Sequence, residues 1–141
     1  MIVWEYHADF KWPENIDQAR VEQWIRQCLE QKGRMDELIS INFVDKEQMR
    51  EINRRVFGRN YDTDTITLAY CEPEQKQVSA DIYLSFPQIF ENARQLNIEP
   101  KNELLRVLIH SILHATGMND GTETEKQQMR AAENECLALF S

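Results

Sequence analysis

Two histidines four residues apart, in His110-Ser-Ile-Leu-His114, are the part of this sequence best suited to chemistry. The surrounding stretch is apolar and reads as helix, and this spacing puts both imidazoles on one face, where two nitrogens can converge on one ion. The alternative is a coincidence of two histidines, one exposed and one hydrogen-bonded in the core. Gly117 lets the chain break off and fold back one turn later, and Asp120 follows with a carboxylate that zinc accepts. Capping the last helix, or forming an Asp-Gly turn with Gly121, is the ordinary use of such an Asp. Thr122 with Glu125 already supplies a capping box, which leaves Asp120 available as a third ligand.

A dication held by three side chains with one position open lowers the pKa of bound water or polarises a phosphate, so the natural class is hydrolytic. A zinc peptidase of the H-E-x-x-H type needs a Glu beside its first histidine; Ser111 stands there, which disfavours peptide cleavage. Phosphodiester cleavage depends more on charge stabilisation and positioning. Arg50, Arg54, Arg55 and Arg59 supply positive charge just before Thr63-Asp64, and Arg54, Arg55 and Arg59 are the candidate phosphate-binding residues, with Arg59 the candidate catalytic one. A solvated helix face paired with Glu47 and Glu51 is the competing use of these arginines. Thr63, Asp64 and Asp81 are candidates either to fix strand ends or to orient a ligating histidine.

The segment from His110 through Gly117 to Asp120 resembles the H-G-x-L-H-L-x-G-Y-D-H signature of the YbeY endoribonucleases, bacterial metalloproteins of rRNA maturation and small-subunit quality control. Asn53 with Asp62-Thr63-Asp64-Thr65-Ile66-Thr67 resembles that family's N-x-x-Y-R and P-T-D-V-L-S-F segments, Ala80-Asp81-Ile82 its G-D-I, and Met129 with Glu133 its M-x-x-x-E. The resemblance implies a metal-dependent, single-strand-specific endoribonuclease acting on the 3′ end of 16S rRNA, with one divalent ion per chain, zinc by first expectation, and the small ribosomal subunit as partner. Two departures stand out. Asp120 occupies the place of the third metal-binding histidine, and an anionic ligand reduces the net charge of a dication site from +2 to +1, giving a weaker Lewis acid. Two histidines and one carboxylate also form the facial triad of non-haem iron. Phe57 falls where the family has a basic residue, a role the neighbouring arginines are placed to take. A non-catalytic ribosome-assembly or RNA-binding factor with a structural metal is the alternative, and another metal-dependent hydrolase, such as a peptidase, a more distant one.

The elements that must position these residues follow from periodicity. Ile2, Trp4 and Tyr6 alternate as a strand, leaving His7 at a surface or edge; Asp17 caps a helix with Val21, Trp24, Ile25, Cys28 and Leu29 on its apolar stripe, ended by Gly33. Ile39, Ile41 and Phe43 form a second strand. Asp45 with Gln48 opens a helix bearing Met49, Ile52 and Val56 that Gly58 closes. Runs 65–70 and 78–85 are β-prone and short-linked, hence an antiparallel hairpin. Pro87 opens a helix with Phe86, Ile89, Phe90, Ala93 and Leu96 as its buried stripe; Pro100 opens the histidine helix; the last helix carries Met129, Ala132 and Cys136.

The order βαβαββααα predicts one α+β domain over residues 1–141: a four-stranded mixed sheet packed with about five helices, the metal-site helix metalloprotease-like. The chain has 141 residues, enough for a core without disulfides, and its 16 Lys+Arg against 24 Asp+Glu give a net charge of -8, which excludes nucleic-acid binding by bulk charge but not by a local strip. Three cysteines without C-x-x-C suit reduced thiols, with Cys28 and Cys136 core residues. No apolar run approaches membrane-spanning length, and the acidic N-terminal stretch is unlike a signal peptide, so the expected compartment is the cytoplasm.

Overall fold

The fold, described for residues 1–10 and 12–140 of a computed structural model, is built on the alternation seen in Ile39, Ile41 and Phe43. These lie on β2 (Met35–Val44), the central strand, and all three are fully buried on one face while Ser40, Asn42 and Val44 point to the other. The sheet order is β1 (Ile2–Tyr6), β2, β4 (Gln77–Ser85), β3 (Thr65–Ala69). β1 and β4 run parallel to β2, and β3 pairs antiparallel with β4, so the sheet is mixed and the hairpin is as expected.

Four helices cover one face: α1 (Gln18–Gln31), α3 (Phe86–Leu96), α4 (Pro100–Ala115) and α5 (Glu123–Leu139). α2 (Lys46–Phe57) covers part of the other face, where Met49 closes a small cluster with Val44 and Ile66. The helix starts follow local chemistry. Asp17 accepts from the amide of Ala19, and both Asp45–Gln48 and Thr122–Glu125 form reciprocal capping boxes. Gly58 ends α2 in the left-handed conformation at φ 64°.

Two expectations need correction. Phe90 and Leu96 do not belong to the buried stripe of α3; they are 40% and 62% exposed, because the face that α3 buries against α4 and the sheet is narrower, carrying Phe86, Ile89 and Ala93. Val56, in the last turn of α2, is likewise exposed. No helix among the described residues is long and apolar enough to cross a membrane.

α4 sets the direction of the two histidines. From Glu103 to Thr116 it is buried on almost every side, and the residues left partly open are Arg106, His110 and His114, one stripe at intervals of four. Burial of the rest against α3, α5 and the sheet fixes the azimuth of the helix, and so the side from which both imidazoles project.

Candidate metal centre

The loop after α4 brings the third candidate ligand back over the helix. Thr116 caps α4, and Arg34 crosses from the start of β2 to donate from Nη1 to the carbonyls of Thr116 (2.9 Å) and Pro73 (2.8 Å). A guanidinium here satisfies an otherwise unpaired terminal carbonyl and complements the negative end of the helix. Pro73 packs against Gly117, whose φ of 105° lies in the left-handed region; a Cβ there would sit 2.9 Å from the Pro73 Cβ. The turn therefore needs glycine for both conformation and space.

Past this turn, Asp120 Oδ2 lies 3.5 Å from His110 Nε2 and 3.3 Å from His114 Nε2. The two imidazoles meet edge to face with centroids 4.6 Å apart, and one ligand atom from each of the three residues falls within 4.8 Å of the others. Two imidazole nitrogens and one carboxylate oxygen at this separation are a donor set that could hold a divalent ion, and all three residues are half-buried, which leaves the site approachable.

Glu133 on α5 completes the arrangement. Its Oε2 lies 2.7 Å from His110 Nδ1, while Oε1 accepts from Arg106 Nη1 at 2.9 Å. A carboxylate only accepts, so Nδ1 carries the proton and Nε2 turns its lone pair toward His114 and Asp120. Burial opposes the imidazolium, but the carboxylates of Glu133 and Asp120 outweigh it and raise the His110 pKa. Burial likewise opposes the Glu133 carboxylate, and His110 and Arg106 hold it below the ordinary range.

A cavity of about 470 Å³ opens over His110, His114 and Asp120 and is shared by Arg59, Thr63 and Asp64. The Arg59 guanidinium stands 5.1 Å from the centroid of Phe57, so the aromatic ring found at a place expected to be basic acts as a platform for the adjacent arginine. Thr63 donates to the carbonyl of Thr65, and Asp64 accepts from Asn92 Nδ2 at 3.3 Å. Burial pushes the Asp64 carboxyl up, against the pull of His110.

The remaining candidates lie elsewhere. Arg54 and Arg55 both bond to Glu51, Arg50 bonds to Asp62, and the three arginines border a different cavity, beside His7 and Asn42, rather than the one over the histidines. Asp81 touches neither histidine; it accepts from Ser40 Oγ at 2.5 Å and from the Tyr70 hydroxyl at 2.8 Å, tying β2 to the hairpin on the opposite sheet face. His7 bonds to Asn42. Ser111 is fully buried, donating to the Val107 carbonyl at 2.8 Å and meeting Thr65 Oγ1 at 2.8 Å.

Sequence reasoning assigns no role at the histidines to Glu133 or Arg106, and none to Arg34. A usable signal for Glu133 is its spacing: with Met129 and Cys136 it lies on the inward stripe of α5, and a carboxylate on such a stripe requires a buried partner. Arg106 falls on the stripe of His110 and His114. No local pattern marks Arg34, whose partners are 39 and 82 residues away.

The chain is similar to known proteins in both fold and sequence. The fold matches a Thermotoga maritima protein solved in solution, with a TM-score of 0.60 at 22% identity, covering 98% of this chain and 90% of that one, which speaks to architecture alone. Among curated proteins, "Endoribonuclease YbeY" of Phocaeicola vulgatus is 36% identical over 127 residues, 90% of this chain and 91% of its own length. That of Parabacteroides distasonis is 33% identical over 140 residues, 99% of this chain and 96% of its own. The family described as Endoribonuclease YbeY matches residues 7–141. With that span and these relatives, the chain belongs to the YbeY endoribonuclease family.

Proposed function

We propose that this protein is a metal-dependent endoribonuclease that cleaves single-stranded RNA during maturation of rRNA in the cytoplasm, the small ribosomal subunit being its partner. His110, His114 and Asp120 would hold one divalent ion, zinc for preference. The observation that carries this reading is the shared cavity: the three donor residues, the Glu133-fixed tautomer of His110 and the Arg59 guanidinium all belong to one opening.

When bound, the ion supplies Lewis acidity toward a phosphate and acidifies water, the chemistry phosphodiester cleavage requires. The chain's own residues supply position and charge. Arg59 would hold a nonbridging phosphate oxygen, and the stacking of its guanidinium on the Phe57 ring supports this role. Glu133 keeps the proton of His110 on Nδ1, so Nε2 stays a donor of electrons to the centre and the ring cannot turn. Asp120 makes the centre less electropositive than three histidines would, which shifts part of the burden of phosphate charge onto Arg59. Ser111 is consumed by Val107 and Thr65 and offers no base of the kind peptide hydrolysis uses.

The deciding experiment incubates zinc-loaded protein with labelled single-stranded RNA. Cleavage lost in His114→Ala and absent from a mock purification supports the reading. Zinc-loaded protein that binds RNA without cutting it would replace the enzyme with a non-catalytic assembly factor.

A further inference from the structure

A further cavity, about 960 Å³, lies in the groove between α4 and α5 and shares His110, Asp120, Asp64 and Thr65 with the cavity that holds Arg59. The two openings therefore meet at His110 and Asp120, and the groove is continuous with the cavity over the metal centre. The groove carries Arg106, Lys126 and Arg130. Lys126 and Arg130 are one turn apart on α5, so their charges project from the same side.

The balance of charge in this groove differs from that around Arg54 and Arg55. Among the described residues no carboxylate pairs with Lys126, and Arg130, 3.6 Å from Glu133, keeps 63% of its side chain exposed. Four carboxylates also line the groove, and they are engaged elsewhere: Asp120 faces the two histidines, and half-buried Asp64 accepts from Asn92 Nδ2. Glu133 is buried and bonded to His110 and Arg106, and Glu103 is buried as well, desolvation together with nearby Asp64 pushing its carboxyl toward the neutral form. Two exposed cations opening onto the histidine centre, in a chain of net charge -8, are a local reversal of sign suited to a polyanion.

We propose that the RNA strand runs on past His110 into the α4–α5 groove, where Lys126 and Arg130 hold backbone phosphates on the side of the centre away from the phosphate held by Arg59. This assignment rests on the nuclease reading and extends its substrate contacts to α5. It makes the last helix part of the binding surface as well as the support of His110.

The test measures binding of a fluorescein-labelled single-stranded RNA to the zinc-loaded full chain across a salt series, for the wild type, Lys126→Ala/Arg130→Ala and Lys126→Arg/Arg130→Lys, with zinc content determined in parallel. The alanine pair should bind about tenfold more weakly. Its log–log salt slope should be shallower by about 1.4, because each phosphate contact on a single strand contributes roughly 0.7. The charge-conserving pair should restore both, with zinc content the same throughout. If the wild type binds and cleaves RNA while the alanine pair matches it in affinity and slope, the groove lies off the strand's path and the nuclease reading stands. Loss of zinc together with RNA affinity in the alanine pair would assign the two cations to the support of Glu133 and overturn the proposal. A zinc-loaded wild type that neither binds nor cleaves RNA would overturn the nuclease reading and the groove with it.

Discussion

Glu133 Oε2 lies 2.7 Å from His110 Nδ1, joining two helices through one proton. The bond spans 23 residues of sequence and makes the histidine's usable nitrogen a property of α5 as much as of α4. Glu133→Gln keeps the shape but allows the amide to present either donor or acceptor, so the tautomer is no longer enforced. Zinc affinity, measured by chelator competition, should fall by about 10-fold to 100-fold, in line with the loss of other residues that orient a ligating histidine. Unchanged affinity would make Glu133 a packing residue.

The same pair predicts a pH dependence. His110 has a folded pKa raised by the Glu133 and Asp120 carboxylates against the effect of burial, and a proton on Nε2 excludes a metal. Apparent zinc affinity should therefore drop as pH falls through that raised value, and in Glu133→Gln the drop should move to lower pH. In metal-free protein the sign for folding is the reverse: a raised folded pKa contributes stability that is complete below the ordinary histidine value and is lost as pH rises through the folded one. Thermal unfolding of the metal-free forms against pH should show this contribution in the wild type and less of it in Glu133→Gln.

Asp120 faces both imidazoles at 3.3 Å and 3.5 Å, so its replacements should order zinc binding. Asp120→His should tighten it and Asp120→Ala should weaken it, read by isothermal titration or competition at fixed pH. Three equal affinities would remove Asp120 from the centre.

Gly117→Ala tests the turn. The added methyl would meet Pro73 at 2.9 Å on a backbone at φ 105°, and should cost about 1–3 kcal/mol of stability in denaturant unfolding. Combining it with Pro73→Gly leaves the adverse φ but removes the Cβ and Cγ that the added methyl would meet. The double variant should fall short of the summed single losses, because the two positions share the clash. Simple additivity would locate the cost in the backbone alone.

Much of this protein can be read from its residues in order. The i, i+4 histidines, the Gly117 break and Asp120 define a donor set because they act within eleven residues, where helix geometry alone sets direction. The capping pairs Asp45–Gln48 and Thr122–Glu125 are legible for the same reason, since each satisfies its own amides. The alternation of Ile39, Ile41 and Phe43 likewise marks which face of β2 turns inward. Only the tertiary structure separated Arg59 from Arg54 and Arg55, because a solvated pair with Glu51 and a place over the histidines look alike in a run of arginines. It also supplied Glu133 to His110 and Arg34 to Thr116 and Pro73. Those bonds join residues far apart in the chain, and burial of apolar faces, which has no direction along the sequence, decides which distant polar groups are left facing one another.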